Sequence, residues 1–414
     1  MIPFQQALDL ILTHAQPPGE SESVPLAEAL GRTLAVDVTA REDIPISDNS
    51  AVDGFAVRRA DVAAEALLGR PLQVLEVLGA EHVATRRLQA GQAAKVMTGT
   101  PLPPGADCVV MVEHARMADG MVTLGRVPEP GEHVRRAGGD IRRGQVALAR
   151  GLRLGAAHVG LLASLGHAAA RVTRRPRVAV LATGSELVAP GEALAPGRVR
   201  NSNGYTLAAL AAEAGAEVSD LGLAADDRAA LKRTLARALD AHDVVVTSGG
   251  VSMGDFDYIK HLTDELGLEV HVRGVNIKPG KPMVFGQRAG ALFFGLPGNP
   301  VSVVVTFQQF VRPALLARLG RSALGFRTLR APLAHGFEKH DGKRHFARGI
   351  LHAAADGALA VRFTGPQDSN LLHSVGLANC FVVIEEARSV VRPGEPVTVQ
   401  LFDGEPLPGA APGA

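Results

Sequence analysis

Short unbroken runs of apolar residues, each followed by a glycine-bearing turn, dominate the hydrophobic pattern in the middle of the chain. Three such runs with their turns lie at 178–184, 244–250 and 292–299. Apolar runs without alternation are typical of strands buried on both faces, and helical patterns lie between them. We therefore predict a mostly parallel sheet with crossover helices, whose turns meet at one edge and line one pocket.

Helical spacing of apolar residues predicts the helices. Asn203 and Asp226 stand where N-cap residues are expected, and Pro300 fits the first turn of a helix, where a missing N–H costs little. The predicted helices are an N-terminal one containing Phe4, Leu8, Ile11 and Leu12, and those at 156–165, 203–214, 229–239 and 301–319.

Alternating and short apolar runs predict β structure on both sides of the central α/β unit. Residues 72–78 alternate, and five short runs between 321 and 404 indicate a small barrel. The predicted fold is multidomain α/β plus β, with a central three-layer α/β domain. Its domains are an elongated helix/strand domain, 1–41 with 142–172; an inserted β-rich module, 42–141; the α/β domain, 173–320; a C-terminal β-barrel, 321–404; and a disordered tail, 405–414.

Composition argues against a nucleic-acid-binding protein and against a membrane span. The net charge of +1 and the absence of Trp argue against a nucleic-acid binder. We expect no membrane span, because the most apolar helix is interrupted by Gln308, Gln309, Arg312 and Pro313. The two cysteines, Cys108 and Cys380, have no metal-type spacing and suit a reducing cytoplasm.

The first two turns carry groups that bind anions and cations. Ser248, Gly249, Gly250, Ser252 and Asp257 combine hydroxyls, glycines and a carboxylate, which favours phosphate and Mg²⁺ binding over a plain loop. The first turn brings Thr183 and Gly184, followed by Glu186. Glu186 could hold a metal ion or a ligand hydroxyl, but on its own it fits slightly better as a carboxylate that stabilises a helix N-terminus.

The third turn and a lysine loop add further candidates. The third turn resembles a generic anion-binding site, which is weak evidence by itself. Its candidate residues are Pro297, Gly298, Asn299 and Ser302. Lys278 and Lys281 flank a Pro-Gly turn with no acidic neighbour in sequence. Stiff cations beside anion-binding turns favour a phosphate site.

Other polar residues carry less information by themselves. Asp53 precedes Gly54 and Thr98 precedes Gly99, so both fit ordinary tight turns. The fourteen histidines show no metal-ligand spacing, and we expect His340 and His345 to face solvent.

Taken together, these motifs resemble the molybdopterin molybdenumtransferase family, which includes MoeA-like proteins and the matching half of gephyrin. The resemblance spans nearly the whole chain in the expected order. It rests on the motifs SAVDGFA from residue 50, TGTPLPPGAD from 98, TGSEL from 183, NSN from 201, SGGVSMGDFD from 248, KPGKP from 278, GLPGNPVS from 295, QDSNLLHS from 367 and NCF from 379.

The resemblance implies four domains and an elongated homodimer with active sites at the subunit interface. There the α/β domain of one subunit faces the β-rich module of the other. It also changes the interpretation of Asp53 and Thr98, because isologous pairing can bring them to the glycine turns of the partner.

The implied reaction joins molybdate to the dithiolene of adenylylated molybdopterin, cleaves the pyrophosphate link and releases AMP with the help of Mg²⁺. A molybdopterin-adenylylating enzyme is the expected upstream partner. The implied catalytic residues are Asp53, Thr98, Glu186, Asp226 and Asp257, the last three as Mg²⁺ ligands. The implied substrate-binding residues are Thr183, Gly184, Ser248, Gly249, Gly250, Ser252, Lys278, Lys281, Pro297, Gly298, Asn299 and Ser302.

The chain departs from the family pattern at several positions. Phe55 replaces a usual Tyr, Ser185 a usual Asp, and Gly274 a frequent basic residue. Two other functions are compatible with parts of the chain. A pterin adenylyltransferase shares the α/β domain but needs neither flanking module, and a non-catalytic scaffold on the same fold usually carries long linkers or fused domains.

Overall fold

The computed structural model describes residues 1–63, 67–79, 81–224, 227–250, 258–353 and 357–402. The chain forms two compact units. The first contains Met1–Ala35, Gly151–Gly155 and Ala169–Ala414, and the second contains Val36–Arg150 and Ala156–Ala168. The predicted four-domain division stays a prediction.

The helices in this part of the chain are α1 Phe4–His14, α2 Ala156–Ser164, α3 Asn203–Glu213, α4 Arg228–Ala241, α5 Tyr258–Glu265, α6 Pro300–Thr306, α7 Arg312–Arg318 and α8 Leu372–Gly376. The helices predicted from the sequence lie close to their predicted positions, and the one predicted at 301–319 is divided between α6 and α7. The N-cap of α4 is Asp227, whose carboxylate accepts hydrogen bonds from the N–H groups of Ala229 and Ala230. The predicted cap, Asp226, lies outside the described residues.

The first twelve strands belong mostly to the β-rich unit. They are β1 Ser21–Pro25, β2 Val38–Thr39, β3 Asn49–Ser50, β4 Gly54–Val57, β5 Leu72–Leu78, β6 Gln92–Val96, β7 Cys108–Met111, β8 Ala115–Ala118, β9 Met121–Leu124, β10 Val134–Arg135, β11 Val146–Leu148 and β12 Ala169–Thr173. A six-stranded sheet has the order β7-β4-β6-β5-β9-β8. Strands β1 and β12 pair antiparallel in the first unit.

The α/β sheet contains the three predicted apolar runs as adjacent strands. The strands of this region are β13 Arg177–Ala182, β14 Leu187–Val188, β15 Val199–Arg200, β16 Glu217–Leu223, β17 Val244–Ser248, β18 Glu269–Arg273, β19 Ile277–Lys278, β20 Val284–Arg288 and β21 Ala291–Leu296. The order is β16-β13-β17-β21-β20-β18. The first four strands run parallel, and β20 and β18 pair antiparallel.

Both faces of this sheet are buried, which accounts for apolar runs without alternation. Val178 and Val180 pack in a core with α1, α3, α6 and α7. Ala179 and Leu181 point to the opposite face and pack with Leu235 of α4, because side chains alternate along a strand.

A single long helix follows the third turn. Helix α6 continues through a π-helical turn, Phe307–Val311, into α7. Pro313 lacks an N–H and its ring crowds the preceding turn, which accounts for the widened turn before it. In the described part of the chain this is the one helix long and apolar enough to cross a membrane, but 78% of it is buried within the protein. It therefore packs as a core helix does.

The C-terminal region contains all five strands predicted from its short apolar runs. Its strands are β22 Thr328–Pro332, β23 Phe337–Glu338, β24 Arg344–Ala353, β25 Leu359–Phe363, β26 Cys380–Ile384, β27 Val390–Val391 and β28 Pro396–Leu401. The order β25-β24-β26-β28-β22 returns to its start through a bridge between Leu333 and Val361. Strand β19 joins this sheet beside β24, so Ile277 and Lys278 lie against Arg344 and His345.

Candidate functional site

The three glycine turns meet at one edge of the α/β sheet and are bonded to one another. The Thr183 N–H, just after β13, donates to the Ser248 carbonyl at the end of β17, at 2.9 Å. The Gly249 N–H donates to the Leu296 carbonyl at the end of β21, also at 2.9 Å. The prediction that these turns lie together is confirmed, because parallel strands end at the same edge of a sheet.

Glycine is required at the centre of this edge. Gly249 has φ +91°, and a Cβ there would overlap the Thr183 carbonyl oxygen. A side chain would therefore force the first and second turns apart.

Asn203 connects the second and third turns and is not the N-cap that its position suggested. Its amide Nδ2 donates to the Ser248 hydroxyl and to the Gly298 carbonyl, each at 2.8 Å. Asn203 is buried, at 8% exposure. The start of α3 is instead stabilised by Asn201, whose Oδ1 accepts the Gly204 N–H at 2.9 Å.

A cleft of about 880 Å³ opens beside the third turn. Both lysines of the Pro-Gly turn line it, together with Asn299 and Ser302 from the start of α6 and residues of the C-terminal sheet. Asn299 thus belongs both to the glycine-turn edge and to the cleft. The C-terminal residues at this cleft include Gln367, Asp368 and Ser369, from the motif that begins at 367. They also include four residues that the sequence did not single out: Lys339, Asp341, Lys343 and Arg348.

Lys278 has an acidic neighbour that the sequence did not reveal. Its Nζ lies 3.7 Å from Asp341 Oδ2. The interpretation of the lysine pair as free of nearby carboxylates was therefore wrong for Lys278. Lys281 is exposed and has no ion-pair partner within the described ranges.

Asp341 also holds His345, which is buried and does not face solvent as expected. The imidazole Nε2 contacts both carboxylate oxygens, at 2.9 and 3.0 Å. Burial alone would raise the pKa of Asp341, but hydrogen bonds from His345 and the Lys343 N–H, together with the charge of Lys278, lower it to about 2. Burial lowers the pKa of His345, so the ring is neutral at neutral pH and its Nε2–H donates.

Arg348 shapes the far wall of the cleft. It is 1% exposed, and its guanidinium donates to the carbonyls of Pro366, Gln367 and Asp368 and to the Ser374 hydroxyl. Burial lowers its pKa to about 10, so it stays charged at neutral pH. It fixes the loop that carries Ser369, whose hydroxyl accepts from Asn299 Nδ2 at 2.8 Å.

Asp53 and Thr98 lie together on the surface of the β-rich unit. The N–H and the hydroxyl of Thr98 donate to Asp53 Oδ1 at 2.7 and 2.9 Å. The backbone hydrogen bond and then the hydroxyl lower the pKa of the exposed Asp53 carboxyl. The pair presents a fixed carboxylate to solvent, which the turn motifs alone did not show.

The proposed metal ligands are only partly described. Glu186 is exposed, and its carboxylate folds back over Gly184. Ser252, Asp226 and Asp257 lie outside the described residues. Among the residues described, no group of three or more His, Cys, Asp or Glu side chains could hold a metal ion.

Three family models match the chain in order. They are the MoeA N-terminal region (domain I and II) over residues 2–166, a probable molybdopterin-binding domain over 179–317, and the MoeA C-terminal region (domain IV) over 330–402. A molybdopterin molybdenumtransferase of Haemophilus influenzae is 35% identical over 97% of this chain and 99% of its own length.

The chain belongs to the molybdopterin molybdenumtransferase family. Relatives with that name from Nostoc sp. and Bacillus subtilis are 37% and 34% identical, over 92% and 98% of this chain and 88% and 95% of their own. A crystal structure of a molybdopterin biosynthesis MoeA protein from Pyrococcus horikoshii matches with a TM-score of 0.85 at 31% identity. It covers 97% of this chain and 100% of the other. The fold is thus the multidomain, MoeA-like one, and membership places this enzyme in molybdenum cofactor biosynthesis with molybdopterin and molybdate as substrates.

Proposed function

We propose that this molybdopterin molybdenumtransferase acts on adenylylated molybdopterin, inserting molybdate with Mg²⁺-dependent cleavage of the pyrophosphate link and release of AMP. The observation that carries the proposal is the continuity of the glycine-turn edge with the lysine-lined cleft. Asn299 belongs to both, and Asn203 joins the third turn to Ser248. One extended anionic substrate can therefore contact both regions.

The glycine turns suit the phosphate part of such a substrate. Strand ends and the start of α6 present N–H groups at this edge, and glycine lets a phosphate approach the backbone closely. The residues that we assign to this part are Thr183, Gly184, Ser248, Gly249, Gly250, Pro297 and Gly298, with Ser252 from the undescribed segment.

The cleft suits molybdate, a small tetrahedral oxyanion. Lys278 and Lys281 supply positive charge, and Ser302 and Asn299 supply neutral polar groups. The ion pair of Lys278 with Asp341 holds the ammonium group in the cleft and reduces its net charge. Lys281, without such a partner, is the stronger attractor of an anion.

Cleavage of the pyrophosphate link by water breaks one P–O bond and leaves two phosphate monoesters, one of them AMP. Negative charge grows on the leaving phosphate, so cations and N–H groups that are already in place stabilise the transition state. In this chain those groups are the two lysines and the turn N–H groups. Asp53 and Thr98 belong to the proposal as catalytic residues contributed by the β-rich unit.

Mg²⁺ would neutralise phosphate charge when bound, with Glu186, Asp226 and Asp257 as its proposed ligands. Only Glu186 is described, and one carboxylate does not make a Mg²⁺ site. The roles given above to lysines and turns therefore do not pass through the ion.

The proposal also covers assembly and location. We assign a homodimer in which each active site combines the α/β domain of one subunit with the β-rich module of the other. The enzyme acts in the cytoplasm and receives its substrate from a molybdopterin-adenylylating enzyme. The two cysteines suit a reducing compartment, since both are unpaired and buried and burial raises the pKa of each thiol to about 12.

The test is reconstitution with defined components. Purified protein is incubated with adenylylated molybdopterin, Mg²⁺ and molybdate, and both AMP and mature cofactor are measured. We expect stoichiometric release of AMP that depends on molybdate and Mg²⁺. Absence of turnover under these conditions would overturn the proposal.

Two variants locate the oxyanion site. Lys281→Ala, which removes the unpaired cation, is expected to weaken molybdate binding at least tenfold, and Lys278→Ala should weaken it less. Lys232→Ala is the matched control, because Lys232 is a surface lysine paired with Glu265 on the α4 side of the domain. Equal affinities in all three variants would exclude the cleft as the molybdate site.

A further inference from the structure

The polar groups of the lysine-lined cleft differ in whether they donate or accept hydrogen bonds. The ammonium groups of Lys278 and Lys281 can only donate. The carbonyls at 366–368 already accept from the Arg348 guanidinium, and Gln367 Oε1 accepts the Arg348 N–H at 2.8 Å. Acceptors in this wall of the cleft are therefore in use, and an anion meets mainly donors.

Asp341 is the carboxylate beside a lysine of the cleft. Its Oδ2 lies 3.7 Å from Lys278 Nζ. Its Oδ1 accepts the Lys343 N–H at 3.2 Å, and His345 Nε2 lies 2.9 and 3.0 Å from the two oxygens. The carboxyl stays ionised, because its pKa is about 2. An anion on Lys278 thus lies beside a carboxylate whose two oxygens are both engaged.

Packing holds His345 in this position. The residue is 7% exposed, and on β24 it lies between Lys278 of β19 and Ile384 of β26. Its ring packs edge-on against Phe337, with the ring centroids 5.6 Å apart. The imidazole therefore cannot turn away from Asp341 without leaving a packed environment.

Two other carboxylates among the described residues line the cleft, and both are exposed. Glu338 lies 3.1 Å from the His340 ring, and Asp368 belongs to the exposed part of the 366–369 loop. A hydrogen bond to an exposed group adds little affinity, because the ligand only replaces water there. Asp341 is therefore the carboxylate whose state matters for a bound anion.

Tetrahedral oxyanions differ in their need for an acceptor. Molybdate and sulfate carry no proton at neutral pH, whereas inorganic phosphate keeps one and needs an acceptor for that O–H. We propose that His345 is a specificity-determining residue: by engaging both oxygens of Asp341, it leaves phosphate without this acceptor and favours fully deprotonated oxyanions. The inference rests on the proposed function, which places molybdate in this cleft.

Sulfate and inorganic phosphate are matched probes for this idea. Slightly above neutral pH both are tetrahedral dianions of similar size, and they differ by the proton. In calorimetric titrations of the full chain, wild type is expected to bind sulfate at least tenfold more tightly than phosphate. His345→Phe keeps an aromatic ring against Phe337 but donates no hydrogen bond, so the ratio of the two affinities should fall at least tenfold.

Three further variants test the cause of this change. Asp341→Asn/His345→Phe has no carboxylate to release, so it should not gain phosphate affinity. His352→Phe, on the same strand but outside the cleft, should keep the wild-type ratio. Thermal melting checks that each variant is folded, and His345→Leu replaces His345→Phe if the larger ring unfolds the protein.

Lys281→Ala separates this inference from the proposed function. It should weaken the binding of both probes, since it removes a cation of the cleft, and unchanged sulfate affinity would overturn the molybdate site and this inference together. If Lys281→Ala weakens sulfate binding but wild type binds the two probes equally, only the inference is overturned. An unchanged ratio in folded His345→Phe, or an equal phosphate gain in the double variant, would overturn it in the same way.

Discussion

Asn203 illustrates what a single residue can and cannot reveal in sequence. It lies at the start of a helix, where an asparagine usually caps, and Asn201, Ser202 and Asn203 are all capable of capping. Its amide instead donates to the Ser248 hydroxyl and to the Gly298 carbonyl, which are 45 and 95 positions away in the sequence. Local pattern places the helix correctly but cannot choose between a cap and a tertiary bridge.

We expect Asn203→Ala to loosen the candidate site. The variant leaves a buried hydroxyl and a carbonyl without their donor, at a cost of about 1–3 kcal/mol, and should lower both the melting temperature and the rate of AMP release. Asn203→Asp keeps the size but loses both N–H donors, so it should behave similarly. Gln89→Ala, at an exposed amide, is the control. An Asn203→Asp variant with wild-type melting and turnover would contradict the bridging role.

The Asp341 carboxylate gives a prediction on pH. Its pKa is lowered to about 2 in the folded protein from an ordinary value of 3.8. A lowered carboxyl pKa stabilises the fold above the ordinary value, and this contribution is lost as pH falls towards the folded value. Asp341→Asn should therefore cost at most about 2 kcal/mol at neutral pH.

The melting-temperature difference between wild type and Asp341→Asn should shrink between about pH 4 and pH 2, as the carboxylate of the wild type becomes protonated. Differential scanning calorimetry across this range measures it. Asp119→Asn, an exposed aspartate without a described partner, controls for general loss of negative charge. A difference that grows between pH 4 and pH 2 would show that the sign is wrong.

At the level of elements, the apolar runs predicted the parallel strands but not the antiparallel edge. Strands β20 and β21 are joined by Ala289 and Gly290, with φ of 48° and 87°. Such a two-residue turn with positive φ permits only a hairpin. An Ala-Gly pair is a weaker hairpin indication than Asn-Gly, so this pairing could not be chosen from sequence over another crossover.

We expect Gly249→Ala to disrupt the glycine-turn edge. Two costs add in this variant: the positive φ of +91° and the overlap of the new Cβ with the Thr183 carbonyl oxygen. Gly222→Ala is the matched control, since Gly222 has φ +74° in open space and should lose only about 1–2 kcal/mol.

The excess destabilisation of Gly249→Ala over Gly222→Ala isolates the overlap, and chemical denaturation of both variants measures it. The same comparison applied to AMP release separates a local effect on the turns from general loss of stability. Equal destabilisation would mean that the turns can separate at little cost.

At the level of the whole molecule, prediction succeeded where one strand or turn contains the information. The five strands of the C-terminal sheet and the meeting of the three turns follow from local pattern. The pairing of β19 with β24 does not, because it joins Lys278 to a segment more than sixty residues later. The same pairing places His345 and Asp341 beside the lysine, so this side of the cleft could not be predicted for the same reason.

If the active site lies at the subunit interface, as proposed, its residues come from two subunits, and this can be tested on the dimer. If each site takes Asp53 from one subunit and Lys281 from the other, then Asp53→Ala and Lys281→Ala homodimers are both impaired. A mixed dimer of the two variants contains one doubly altered site and one intact site. Random exchange at equal concentrations makes half of the dimers mixed, so about a quarter of wild-type AMP release should return.

Two controls accompany this experiment. Size-exclusion chromatography with light scattering confirms that the variants form dimers. Lys281→Ala and Lys278→Ala change the same cleft, so a mixture of these two variants must show no more activity than the mean of the two. Failure of the Asp53→Ala and Lys281→Ala pair to recover activity, despite proven subunit exchange, would place both residues in the same subunit's site.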